Sequence, residues 1–173
     1  MKTPYTYRAE KFIKILFPYI KEELEKEFRS IVKMDNCVNN FNNQKKRRVL
    51  FNCGASRAVF INNDYVVKVD IKPKSWAGNC EDEYRMYKFA QRKGFDYLFA
   101  PITRIEYYGY FFYIMPRVHN ISIWRDEEDF YKNLDEKEYD FINDFINDIH
   151  GGNFGYLNKK MVLIDYAWNN FSH

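Results

Sequence analysis

The sequence predicts an α+β fold. Three observations carry this. Residues 8 to 34 repeat apolar side chains at helical spacing. From about residue 48 the chain turns to short runs rich in β-branched and aromatic residues. The order of elements then mixes paired strands with helices and never settles into the alternating βαβ series of a parallel sheet.

In the first segment Ile13, Leu16, Phe17, Ile20, Leu24, Phe28 and Ile31 recur at three- and four-residue steps, with charges on the other face. Pro18 interrupts the pattern and is expected to kink the helix or open a second one. The helix should pack on the main body. Residues 35 to 47, "DNCVNNFNNQKKR", are Asn-rich and without periodicity, and read as a linker or mobile loop. Strands are expected at "RVLFN", "AVFINN" and "YVVKVDI", the last two joined by a hairpin at Asn62-Asn63-Asp64. Residues 79 to 93 read as a helix stopped by Gly94. Two strands follow around "PITRIEYYG" and "YFFYIMPRV", turning near Gly109. Residues 125 to 148 read as helix, then a loop, and "MVLIDYA" as a closing buried strand. No internal repeat is visible.

The 173 residues fit one domain, or one domain with an appendage. Aromatic residues make up 20%, including 15 Tyr and 16 Phe, which excludes a disordered composition. With 27 basic and 24 acidic residues the net charge is +3, so no global field draws the chain to nucleic acid or to a membrane surface. The one basic run, Lys45-Lys46-Arg47-Arg48, is able to touch phosphate, although a solvated linker is the blander reading. No apolar run reaches the ~20 residues that span a bilayer, and the opening "MKTPYTYRAEKF" is too polar for a signal peptide. Cys37, Cys53 and Cys80 have neither disulfide nor metal-knuckle spacing, which points to a reducing, cytoplasmic location.

Chemistry concentrates in few places. In "DIHGGN", Asp148 and Asn153 flank Gly151 and Gly152; Asp165 follows the apolar run "MVLI", which would hold it rigidly. Lys68 sits in "YVVKVD", where one strand face is buried and the ammonium must find an anion. Glu83 is a plausible partner on the next helix, with Glu81 as a second candidate. Gly54 lies in "FNCGASRAVF", a strand-turn-strand able to cover phosphates. Carboxylate and amide oxygens suit Mg²⁺, a lysine suits phosphate, and a further carboxylate can orient an attacking hydroxyl.

The order of these segments resembles the protein kinase fold from about residue 48 to 168. "CGASRAVF" resembles a degenerate glycine-rich loop, "YVVKVD" the strand with the V-A-I-K lysine, and "NCEDEYRMY" the helix that supplies its glutamate. "YIMPRV" resembles the segment joining two lobes, "DIHGGN" the catalytic loop, and "LIDYA" the D-F-G segment. The resemblance implies an antiparallel-sheet N-lobe over 48–116, a short, mostly helical remnant of the C-lobe over 117–173, and an N-terminal helical extension and linker over 1–47. It implies ATP and Mg²⁺ as cofactors. Lys68, paired with Glu83, would hold the α- and β-phosphates; Gly54 and Ser56 would approach them; Met115 to Arg117 would meet adenine. Asn153 and Asp165 would hold the metal, and Asp148 would align the acceptor hydroxyl. These groups are expected to converge on one cleft.

Departures from the family pattern shape the functional expectation. One glycine stands in the phosphate loop, Ile146-Asn147 replaces the His-Arg before the catalytic Asp, and His150 stands where protein kinases usually carry Lys. Asp165-Tyr166-Ala167 lacks the hinge glycine, and the sequence stops at His173 before any activation segment. The chain therefore resembles a miniature, truncated kinase of the type found among phage and bacterial-effector kinase-like proteins. The expected function is ATP-dependent transfer of the γ-phosphate to a protein hydroxyl, in the host cytoplasm if the gene belongs to a phage or pathogen. The alternatives are a catalytically weak or inactive kinase-like protein that occupies a host partner, using aromatics such as Tyr107, Tyr108, Tyr110, Trp124 and Trp168, and a small-molecule phosphotransferase. Nucleic-acid and membrane partners are disfavoured, and oligomeric state is left open.

Overall fold

The computed structural model describes residues 3–26, 30–53, 57–71, 80–120, 125–146, 149 and 151–166. The fold is α+β, and the chain divides into two compact units. One comprises residues Met1–Cys80 and Thr103–Arg117, the other Glu81–Ile102 and Val118–His173.

The first unit opens with α1 (Pro4–Leu24). Thr3 caps it by accepting from the Thr6 N–H, and Pro4 occupies the first turn, where its missing N–H is harmless. Ala9, Phe12, Ile13, Leu16, Phe17, Ile20 and Leu24 form its buried stripe. The helix runs on through Pro18, and no second helix opens there. A proline inside a helix costs about 3 kcal/mol. Burial of Leu16, Phe17 and Ile20 on either side contributes about 1.5–3 kcal/mol each, so packing wins.

The Asn-rich segment read as a linker is instead a helix, α2 (Ile31–Lys45). Its asparagines are poor helix formers, but Met34, Val38 and Phe41 form a buried stripe that overrides propensity. Local amide bonds run along its surface, Asn39 to Asp35 at 3.2 Å and Gln44 to Asn40 at 2.9 Å. Asn42 exchanges two hydrogen bonds with the Val49 backbone, 2.8 and 3.0 Å, and so ties the helix to the next strand. Phe41 packs edge-on against Phe12 and Tyr19, with ring centres 5.8 and 5.3 Å apart.

Glu23 joins the two helices. Its carboxylate is 3% exposed and accepts from the Lys26 ammonium and the Ser30 N–H, both at 2.5 Å. Burial pushes its carboxyl up, but the bonds to Lys26 and Ser30 and the positive charge nearby outweigh it and hold the group below its usual 4.5. A depressed folded-state value means that the stabilisation is complete above pH 4.5 and is lost as pH falls through the folded value. Glu23→Ala should therefore cost about 1–3 kcal/mol at neutral pH. It should also flatten the acid limb of a stability-versus-pH curve measured by urea unfolding.

Five antiparallel strands complete the unit, in the order β1-β2-β3-β5-β4. They are β1 (Leu50–Cys53), β2 (Arg57–Ile61), β3 (Tyr65–Asp70), β4 (Thr103–Tyr107) and β5 (Tyr110–Pro116). Asn62-Asn63-Asp64 makes the β2–β3 turn, closed by the Asn62 N–H on the Tyr65 carbonyl at 2.9 Å. Tyr108 and Gly109 make the β4–β5 turn with φ of 50° and 78°, the left-handed pair that matches strand twist in a two-residue hairpin. Ala58, Phe60, Val67, Val69, Phe112 and Ile114 share one core with the buried stripes of α1 and α2. Tyr107, Tyr108 and Tyr110 gather around Phe17 of α1 at 5.2, 5.3 and 5.8 Å; Tyr107 and Tyr110 pack on the core, and Tyr108 stays 75% exposed. Trp124 and Trp168 lie outside the described residues.

The second unit holds most of α3 (Cys80–Lys93), which ends at Gly94 with φ of 81°, and a 3-10 turn at Asp96–Leu98. Acidic residues fill the first turn of α3 and Arg92 and Lys93 its last, both matching the helix dipole. The stretch expected to be helical over 125–148 holds two helices, α4 (Arg125–Lys132) and α5 (Glu136–Phe145). A capping box of Asp135 and Glu138 restarts the second. Phe89, Phe95, Phe99, Phe141 and Phe145 form an aromatic cluster around the buried Phe99 and Phe141, closest at 4.5 Å between Phe95 and Phe141. The expected final loop carries a 3-10 turn, Gly151–Asn153, and a strand, β7 (Phe154–Leu157). With β6 (His119–Asn120) and β8 (Lys160–Leu163) it forms a three-stranded sheet ordered β6-β7-β8.

Candidate functional site

Lys68 stands in the middle of β3, paired with Val59 of β2 and Tyr113 of β5. Side chains alternate along a strand, so Lys68 faces away from the side on which Val67 and Val69 meet the helices. Cross-strand partners share a face. Asn52, Val59, Lys68, Tyr113 and Arg104 therefore form one row across all five strands, and Val66 and Met115 form the next. The structure thus brings Lys68 and Met115 to one face of one sheet. Lys68 is 8% exposed and Met115 is buried. A buried ammonium folds only with a compensating partner. Gly54 and Ser56 lie outside the described residues.

The second unit holds Glu83, Asn153 and Asp165. Glu83, in the first turn of α3, is fully buried at 0% exposure. Its rival Glu81 reaches Arg85 at 3.2 Å on the helix surface. Burial therefore separates the two candidates: a sequestered carboxylate needs a specific cation or donor, and a surface one does not.

Asn153 and Asp165 are brought together. Phe154 pairs with Leu163 at one end of the β7–β8 hairpin. Just beyond, the Ile164 N–H donates to the Asn153 carbonyl at 2.7 Å. Both side chains thus start from the same end of one hairpin. Asn153 is 4% exposed and Asp165 partly buried.

Asp165 is also clamped along the chain. The Ala100 N–H donates to the Leu163 carbonyl at 2.7 Å, and the Tyr166 hydroxyl donates to the Ala100 carbonyl at 2.7 Å. One residue, Ala100, therefore holds the Leu163 backbone before Asp165 and the Tyr166 side chain after it. The Tyr166 ring meets Phe99 edge-on at 4.9 Å, which closes the clamp. Sequence reading missed Ala100 and Phe99, since nothing local marks them; the pairing of Asp165 with a following aromatic was the visible half of the signal. Asp148 and His150 lie outside the described residues. Lys68, Glu83, Asn153 and Asp165 each engage a neighbour, and none is free.

Carboxylate and amide oxygens at one hairpin end are hard ligands of the kind Mg²⁺ takes, usually one or two from protein with water and phosphate completing the octahedron. Among the described residues no group of three or more His, Cys, Asp or Glu is placed to hold a metal ion. Also among the described residues, no helix is long and apolar enough to cross a membrane.

No family model matches the sequence, and no curated protein matches it. Solved structures that match include WbdD in co-crystals with the kinase inhibitor LY294002, at 14% identity and a TM-score of 0.34 over 70% of this chain and 32% of that one. A second, described as the bifunctional kinase-methyltransferase WbdD, matches at 16% identity and a TM-score of 0.33 over 68% and 31%. The chain spans about a third of the length of these structures.

Proposed function

We propose that the chain is an ATP-dependent phosphotransferase that moves the γ-phosphate of Mg·ATP to a hydroxyl, with a protein side chain as the acceptor. The observation that carries this reading is the placement of Asn153 and Asp165 at the same end of the β7–β8 hairpin, where the Ile164 N–H donates to the Asn153 carbonyl. A buried lysine on the third strand supports it, since that is the setting of the phosphate-binding lysine in the kinase resemblance.

In this reading Lys68 holds the α- and β-phosphates, with Glu83 as its assigned carboxylate, and Met115 lies against the adenine. Asn153 and Asp165 present oxygens to the metal. Bound Mg²⁺ would offset the charge that develops on transfer. Asp148 accepts a hydrogen bond from the acceptor hydroxyl and aligns it with the γ-phosphorus. The new P–O bond forms as the bond to the β-phosphate oxygen breaks; ADP leaves and the proton passes to Asp148. Rate enhancement comes from positioning and fixed charge.

The test is incubation with γ-labelled ATP and Mg²⁺, alone and with cell lysate, beside Asp148→Asn. Label should appear on the chain or on a lysate protein, and the variant should lose about 10²–10⁴-fold in rate. Label on a small molecule would redirect the acceptor class. Nucleotide binding without transfer to any acceptor would contradict the enzyme and leave a kinase-like protein that occupies a partner.

A further inference from the structure

A second site stands apart from Lys68. Where α1, the α2–β1 connection and the β2–β3 turn meet, the first unit encloses a pocket of about 390 Å³. Four cations line it: Arg8 and Lys11 from α1, and Arg47 and Arg48 from the connection. The one carboxylate in the lining, Asp64, is already engaged by Arg8. Among the described residues no carboxylate pairs with Lys11, Arg47 or Arg48; the Lys11 ammonium rests over the Tyr7 ring at 4.4 Å.

Three like charges around one concavity repel each other, and among the described residues no ion pair offsets them. Two further observations indicate what would. Asn62 lines the same pocket, and its amide Nδ2 is shut off from solvent without a hydrogen-bond partner. An unsatisfied buried donor is expensive and marks a place where an acceptor belongs. Tyr65 contributes its phenol: burial, with Asp64 adding, pushes its pKa up to about 12, so at neutral pH it is a proton donor. Guanidinium pairs, an ammonium, an amide N–H and a phenol O–H are all donors, and phosphate oxygens are the acceptors that use them best.

We propose that this pocket binds a small phosphate-bearing anion. Its volume lies in the range of small-molecule sites. The net charge of only +3 supplies no strong overall field to draw a nucleic acid. The basic run at 45–48 acquires its meaning here. The fold delivers Arg47 and Arg48 to α1 and to the hairpin turn, and its left-handed cap at Lys46 (φ 50°) turns the chain toward them. The pocket does not share residues with the row containing Lys68 and does not depend on the phosphotransferase reading.

The test is calorimetric titration of the full chain with tripolyphosphate, without Mg²⁺, at low salt. It uses wild type, Lys68→Met, Lys11→Gln and the double variant Arg47→Gln/Arg48→Gln. The substituted arginines and Lys11 are exposed, so the variants should keep their melting temperatures. Binding should survive Lys68→Met and weaken at least about tenfold in the double variant, since two charge-assisted contacts are removed. It should weaken with added salt. In the Lys68→Met background ATP binding more tightly than tripolyphosphate would mark a nucleotide-type ligand, and equal binding an inorganic one; both uphold the proposal. No binding at millimolar anion, or binding lost in Lys68→Met but kept in the double variant, would overturn it. A duplex oligonucleotide binding more tightly than either anion would also overturn it.

Discussion

Lys68→Met should abolish the thermal stabilisation that Mg·ATP gives the wild-type chain. A ligand present at a hundred times its dissociation constant stabilises by about 2.7 kcal/mol. In a chain of this length that is a rise of roughly 5–10 °C in melting temperature. Methionine keeps the length and apolar stem of lysine but cannot contact phosphate. Because Lys68 is buried, the substitution also changes stability without ligand, so each protein is compared with its own nucleotide-free melt. Asp165→Asn should behave differently. Asparagine preserves the size of the side chain, and the bonds that Leu163 and Tyr166 make to Ala100 are untouched. The charge is lost, and one acceptor oxygen becomes a donor NH2. The variant should keep the part of the shift that ATP gives alone and lose the increment that Mg²⁺ adds. Equal shifts in all three proteins would separate nucleotide binding from these residues.

Removing residues 1–47 should prevent the first unit from folding. Sheet residues Phe60, Val67, Phe112 and Ile114 are fully buried against α1 and α2, in one core with Phe12, Ile20 and Phe41. A chain beginning at residue 48 would leave that sheet face uncovered, a patch of the kind that drives aggregation. A milder version is Phe12→Ala. This side chain is 1% exposed and touches the rings of both Phe41 and Tyr65. Its loss should cost about 3–5 kcal/mol in urea unfolding, a large part of the 5–15 kcal/mol typical of a domain. A truncated chain that stays monomeric with an unchanged melt would contradict this packing.

Local signals were the legible ones. The stripe of α1, the strand runs, Gly94 and the Asn62–Asp64 turn each declare themselves within a few residues. The failures have the same origin. Pro18 and the asparagines of α2 speak against helix locally, and partners far along the chain overrule them, Tyr107 and Phe112 on Phe17, Val49 on Asn42. The Asp135–Glu138 capping box was present in the sequence and marks the break between α4 and α5, but the acidic run around it hid the signal. In the site, Lys68 was legible because a lysine among valines is anomalous on a buried strand. The sharing of its face with Met115 was not, because register is a property of pairs. The meeting of Asn153 with Asp165 required β7, a strand of Phe, Gly, Tyr and Leu that follows two glycines and an asparagine and looks like the end of a loop. The clamp through Ala100 is longer in range still.

The central claim is that a triphosphate lies against the ammonium of Lys68. An acyl-phosphate derivative of ATP tests this directly. A lysine amine beside the phosphates attacks the acyl carbon, keeps the acyl group as an amide and releases ATP, and peptide mass spectrometry then reads the modified position. Labelling should concentrate on Lys68 and disappear when Mg·ATP is added in excess. Labelling spread over surface lysines and indifferent to added Mg·ATP, with Lys68 unmodified, would contradict the account.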